Sequence, residues 1–148
     1  IGKYKFNNLN ISYRGDRTKN ISLNANASIG EYFNGTRNSY GFSATFKPGY
    51  KFSLNMGLDK NLVTFPGISV NADIYTLKIK YNHSVKLFNT LYFQYNGAEE
   101  KLVTNFRMNL IHAALSDLFL VYSNVSDLNS NEKDTGMIAL KFTKLFSL

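Results

Sequence analysis

Apolar and polar residues alternate along most of this chain, the period of a β-strand whose two faces meet different surroundings. Ile21, Leu23, Ala25, Ala27 and Ile29 are separated by Ser22, Asn24, Asn26 and Ser28. Tyr40, Phe42, Ala44 and Phe46 continue the pattern. After Pro48-Gly49 come Tyr50, Phe52, Leu54, Met56 and Leu58, facing away from Lys51, Ser53, Asn55, Gly57 and Asp59. Tyr75, Leu77, Ile79 and Tyr81 alternate with Thr76, Lys78, Lys80 and Asn82. Then follow Leu87, Leu91, Phe93 and Tyr95, interrupted by Asn89, with Phe88 and Tyr92 on the other face. Leu102, Phe106, Met108 and Leu110 come next, Leu118 to Tyr122 is apolar on both faces, and Ile138, Leu140 and Phe142 lead into Lys144-Leu145-Phe146-Ser147-Leu148.

The pattern predicts roughly nine strands, most about 9–13 residues long, where strands of soluble proteins run about 5–6 and tilted membrane strands need about 9–11. Short connections are expected at Arg14 to Thr18, Lys47 to Gly49, Asn82 to Ser84 and Ala113 to Ser116. Long polar loops are expected at Asn61 to Asn71 and Asn124 to Asp134, on the side of the shorter Asn34-Gly35 and Asn96 to Glu100 turns. Outer-membrane barrels have short periplasmic turns and longer outer loops, which puts the C-terminus in the periplasm. The fold expected is all-β: an antiparallel transmembrane β-barrel segment, 1–148, with no internal domain boundary. Bacterial barrels have even strand numbers, so a nine-strand segment reads as the C-terminal part of a larger barrel. The chain begins at Ile1, as a processed or partial product does.

Composition supports this reading. Aromatic residues make up 15%, with 10 Tyr, 12 Phe and no Trp, and charged residues only 18%, against about 25% in soluble domains. Mean hydropathy is −0.22. A lipid-facing apolar set backed by a wet polar interior produces this mixture. No run of about 18 apolar residues is present to form a membrane helix. The absence of cysteine excludes disulfides and Cys-based metal or redox motifs. The net charge of +7 is scattered, beginning with Lys3, Lys5, Arg14, Arg17 and Lys19, and no helical stripe points to nucleic acid. Tyr32, Tyr40, Tyr50, Tyr81, Tyr95 and Tyr122 fall at expected strand ends, as an aromatic girdle requires.

A soluble sandwich alternates for the same reason, with its apolar face inward. Such a soluble antiparallel β-domain, binding a lipid or glycan, is the alternative.

Catalytic chemistry finds little footing. His83 and His112 lack partners at ligand spacing, and Glu99 and Glu100 are neighbours in a turn rather than carboxylates facing across a site. Asp127, Glu132 and Asp134 are too sparse for an outer-membrane enzyme. No residues point to a cofactor or metal, and the glycines form no phosphate loop. The functional expectation rests on the polar face. There Arg107, flanked by Asn105 and Asn109, with Lys78, Lys80 and Gln94, would line a lumen, first as a structural network bonding to neighbouring strands, and otherwise to shape a pore or bind an anionic or polyhydroxylated ligand. The expected role is membrane anchor, scaffold or passage, with outer-membrane lipid, further barrel strands or a membrane protein complex as partners.

The run Phe93-Gln94-Tyr95-Asn96, Asn105-Phe106-Arg107-Met108-Asn109, Ser116-Asp117-Leu118-Phe119-Leu120-Val121-Tyr122 and Leu140 to Phe146 resembles the C-terminal region of a family of unknown function common in Bacteroidota. Gly30 to Pro66 fits that family's preceding hairpin. The resemblance implies an outer-membrane barrel behind an N-terminal module similar to family 9 carbohydrate-binding modules, and a transport or glycan-handling setting. The departure is Ile111-His112-Ala113-Ala114-Leu115, where the family shows an aromatic residue and a Pro-Gly turn.

Overall fold

A computed structural model describes residues 6–129 and 134–145. Among these, all regular structure is β: β1 (Asn8–Arg14), β2 (Ile21–Tyr32), β3 (Gly35–Phe46), β4 (Phe52–Phe65), β5 (Ile68–Asn82), β6 (Leu87–Asn96), β7 (Lys101–Ala113), β8 (Ser116–Asp127) and β9 (Thr135–Thr143). They form one nine-stranded antiparallel meander in sequence order, and β1 and β9 are its free edges. Met108 to Leu115 lies in β7 and the connection to β8. Lys3, Lys5, Glu132 and Phe146 to Leu148 lie outside the described residues.

Paired residues on adjacent strands share a face, so the register sorts the side chains. One face carries Leu23, Ala44, Met56, Leu77, Phe93, Phe106 and Leu120 with their neighbours at i±2. The other carries the row Ser22, Thr45, Asn55, Lys78, Tyr92, Asn105 and Ser123.

No apolar side chain among the described residues is buried. The chain exposes 11131 Å², where a folded monomer of this mass exposes about 7,700 Å². Along β3, Tyr40, Phe42 and Phe46 are exposed while Ser39, Gly41, Ser43 and Thr45 are partly or fully sheltered. β2 repeats this, with Ser22 only 5% exposed between Ile21 at 60% and Leu23 at 41%. In β2 and β3 the polar face is thus the more sheltered one.

Two expectations are corrected. Asn61 to Asn71 is not a long loop: β4 and β5 pair as far as Phe65 and Ile68, and only Pro66-Gly67 connects them. Pro followed by Gly67 at φ 84 is the type II turn pattern, which needs a residue tolerant of positive φ at that place. The upper connections (33–34, 66–67, 97–100, 128–134) are therefore not systematically longer than the lower ones (15–20, 47–51, 83–86, 114–115). Tyr40 and Tyr122, expected at strand ends, stand in mid-strand.

A change of phase explains both. On the apolar face, Lys60 follows Leu58, Asp73 precedes Tyr75, Asn38 precedes Tyr40, and Asn124 follows Tyr122. Above these boundaries the opposite face turns apolar in two hairpins, with Val63 paired to Val70, Phe65 to Ile68, and Val103 to Val125. Lys60 and Asp73 form an ion pair at 3.6 Å on what is the apolar face lower down. Tyr40, Tyr75, Tyr95 and Tyr122 are the last apolar residues before the change. Measured from this boundary rather than from the turns, the upper segments are the long ones.

Candidate functional site on the polar face

The strand pairing brings the expected residues onto one face. Lys78, Tyr92 and Asn105 form one cross-strand row, and Lys80, Thr90 and Arg107 the next. Gln94 lies one row above, paired with Thr76 and Val103. Asn109 lies one row below, paired with Phe88 and Phe119.

Lys78, Lys80, Thr90, Tyr92, Asn105 and Arg107 line a shallow groove of about 530 Å³. Gln94 and Asn109 are not among its lining residues. Gln94 instead accepts a hydrogen bond from the Tyr92 hydroxyl at 2.6 Å, which fixes that ring beside the groove. Asn109 has a buried Oδ1 without a partner. Thr90 and Tyr92 were not expected as lining residues, although Tyr92 was already legible as off the apolar face.

Lys78, Lys80 and Arg107 are exposed, and no carboxylate lines their groove. The Arg107 guanidinium lies 5.2 Å from the centre of the Phe119 ring, a cation–π contact that orients it without neutralising it. Three uncompensated cations among hydroxyl and amide groups attract anions and repel cations. The groove offers no nucleophile activated by a neighbouring base.

The other polar candidates are accounted for locally. His83 packs edge-on to Tyr81 at 4.7 Å, and His112 stacks on Phe142 at 5.1 Å. Glu99 pairs with Lys101 at 3.3 Å. Asp134 accepts from Ser126 Oγ at 2.8 Å and from Asn124 Nδ2 at 3.3 Å. Among the described residues, no group of three or more His, Cys, Asp or Glu could hold a metal. In place of a Pro-Gly turn, the segment 111–115 has a register shift between Ile111 and Ala113, and Leu115 takes φ 54.

No family model, curated protein or solved structure matches the chain.

Proposed function

We propose that this chain is part of the wall of an outer-membrane β-barrel, with the apolar face in lipid and the polar face lining a wet lumen. It serves as anchor, scaffold or passage. The observation that carries this reading is the phase change at Tyr40, Tyr75 and Tyr122. Below it one face is apolar and the other polar, as lipid outside and water inside require. Above it the apolar face turns polar, and in the β4–β5 and β7–β8 hairpins the opposite face turns apolar, as happens when the outer medium turns from lipid to water. The crossings of β2 to β7 show four or five apolar residues on that face and those of β1, β8 and β9 show three, where a tilted strand of about 9–11 residues presents about five. The resemblance to a barrel family, from about Gly30 to the end of the chain, belongs to the same reading.

The test is fractionation of native outer membranes with carbonate and urea washes, with apparent mass read from the blot. Retention supports an integral barrel, and retention well above 16.8 kDa supports a larger one. Release into the wash refutes the membrane role and leaves a soluble β-sheet whose apolar face a partner covers.

A further inference from the structure

At the lower end of the polar face, Arg17, Lys19 and Lys47 stand over Ser22, Asn24, Thr45 and Asn55 around a depression of about 290 Å³. We propose that this is a binding site for a phosphate group, as free phosphate or as a phosphomonoester.

Charge is the first support. The depression has three cations and no carboxylate among its lining residues. The nearby acid, Asp16, is turned to its own loop, where Oδ1 accepts from the Thr18 amide at 2.9 Å and from its hydroxyl at 2.7 Å. Guanidinium and ammonium groups are the usual partners of phosphate oxygens.

The second support is independent of charge. Ser22 is 5% exposed, and its Oγ has no hydrogen-bond partner. A sheltered hydroxyl without a partner is a cost that an incoming oxygen removes. The floor around it is already fixed: Asn55 Nδ2 donates to Thr45 Oγ1 at 2.6 Å, and the Lys47 amide donates to the Asn20 carbonyl at 2.7 Å. That last bond ties the two basic connections together, so the backbone needs little ordering on binding while the Arg17, Lys19 and Lys47 side chains remain to be ordered.

The third support selects phosphate among oxyanions. Asn24 Nδ2 donates to Ser43 Oγ at 3.1 Å, which leaves its sheltered Oδ1 as an acceptor without a donor. Hydrogenphosphate brings a proton to that acceptor, whereas sulfate brings only lone pairs. The site lies on the polar face however the sheet is closed, so it stands or falls separately from the membrane reading.

The probe is inorganic phosphate, titrated against the full-length chain in detergent and followed by phosphorus NMR and calorimetry. Saturable one-to-one binding is expected. Arg17→Gln and Lys47→Gln should each weaken it about tenfold, the loss of one charge-assisted hydrogen bond. Ser22→Ala should weaken it by about threefold or more. Lys101→Gln, on the same face at the opposite end, should change it less than about twofold. Sulfate should bind about tenfold more weakly than phosphate. Parallel titration with nanodiscs containing phosphatidic acid separates the sources. Binding there that Lys47→Gln abolishes, with free phosphate inert, keeps the phosphate site and assigns it to a lipid headgroup. No saturation by either source up to about 10 mM phosphate overturns the site. Equal loss in Lys101→Gln shows a diffuse basic surface and also overturns it, and sulfate binding equal to phosphate overturns the choice of anion.

Discussion

Leu54 and Met56 are the middle two of four apolar residues that β4 shows to the outside, between Phe52 and Leu58. Each stands one residue, about 3.4 Å along the strand, from the midpoint of that band. Met56 is 47% exposed on the sheet, so nothing within the described chain covers it fully. In a barrel its remaining surface meets the bilayer centre, where an arginine costs about 2–4 kcal/mol. Met56→Arg should therefore lower the folded-to-unfolded ratio by roughly 30- to 800-fold, at a factor of ten per 1.4 kcal/mol. Leu62 makes the comparison sharp. It lies on the same face of the same strand, six residues further on, beyond Lys60 and opposite Asn38 and Asn71. That is about 20 Å along the strand and above the phase change, so Leu62→Arg should stay within about 0.5 kcal/mol, as surface substitutions do. The assay is equilibrium urea unfolding of protein refolded into lipid vesicles. If the two variants differ by less than about 1 kcal/mol, the apolar band is not a membrane band.

Other consequences follow from particular side chains. Arg107→Ala removes one of three cations from the polar groove and the contact to Phe119, while strand pairing stays intact; anion selectivity in planar-bilayer conductance should fall, and unchanged selectivity would exclude Arg107 from any passage. The hydroxyl of Thr18 first, and its amide second, hold the Asp16 carboxyl below its ordinary value of 3.8. This turn's contribution is then present above that value and lost as pH falls through the lowered one. Thr18→Ala should raise the Asp16 titration toward 3.8 in a carboxyl NMR titration, and an unmoved midpoint would refute the assignment. At Gly35 a Cβ would run into the Thr64 carbonyl and meet the Phe65 ring at 3.0 Å. Gly35→Ala should therefore cost about 1–3 kcal/mol in the same urea assay, with an unshifted midpoint as the contrary result.

The strands were legible because unlike surroundings on the two faces of a sheet impose a period of two, and Leu54, Met56 and their kin keep it strictly. The Asn61 to Asn71 hairpin escaped for the same physical reason. Its sequence changes phase, so polar Lys60, Thr64 and Asn71 stand where apolar residues stood below, and a reading that holds one phase sees a loop. Tyr40 and Tyr122 were placed at strand ends, because each strand was taken to end where its apolar face ended; both stand in mid-strand. On the polar face, alternation was enough to put Lys78, Lys80, Asn105 and Arg107 together. It could not show that Gln94 is held by the Tyr92 hydroxyl. The site at Arg17, Lys19 and Lys47 needed the third dimension, since Ser22 and Asn55 reach it from strands far apart in sequence.

The open edges bear on how such a wall could close. A strand edge in lipid leaves its amides and carbonyls without partners, which a membrane does not tolerate. Every neighbour in this meander is antiparallel, so β1 and β9 run in the same direction. Joining them directly would make a parallel seam, unlike the even, antiparallel closure of bacterial single-chain barrels. An odd number of further strands between the two edges restores antiparallel pairing throughout. Those strands can come from the same polypeptide or from another, and the apparent mass of the membrane-retained species distinguishes the two. β1 also runs over only 7 residues, against 12 in β2, and bonds from the Gly15 amide to the Leu23 carbonyl and from the Glu31 amide to the Asn7 carbonyl extend the seam by one residue at each end. A strand added at that side would lie along β1, where Leu9, Ile11 and Tyr13 are 60%, 62% and 64% exposed. On the proposed reading, with that row in lipid, the edge asks for backbone partners rather than for apolar cover, which is the demand of a barrel seam.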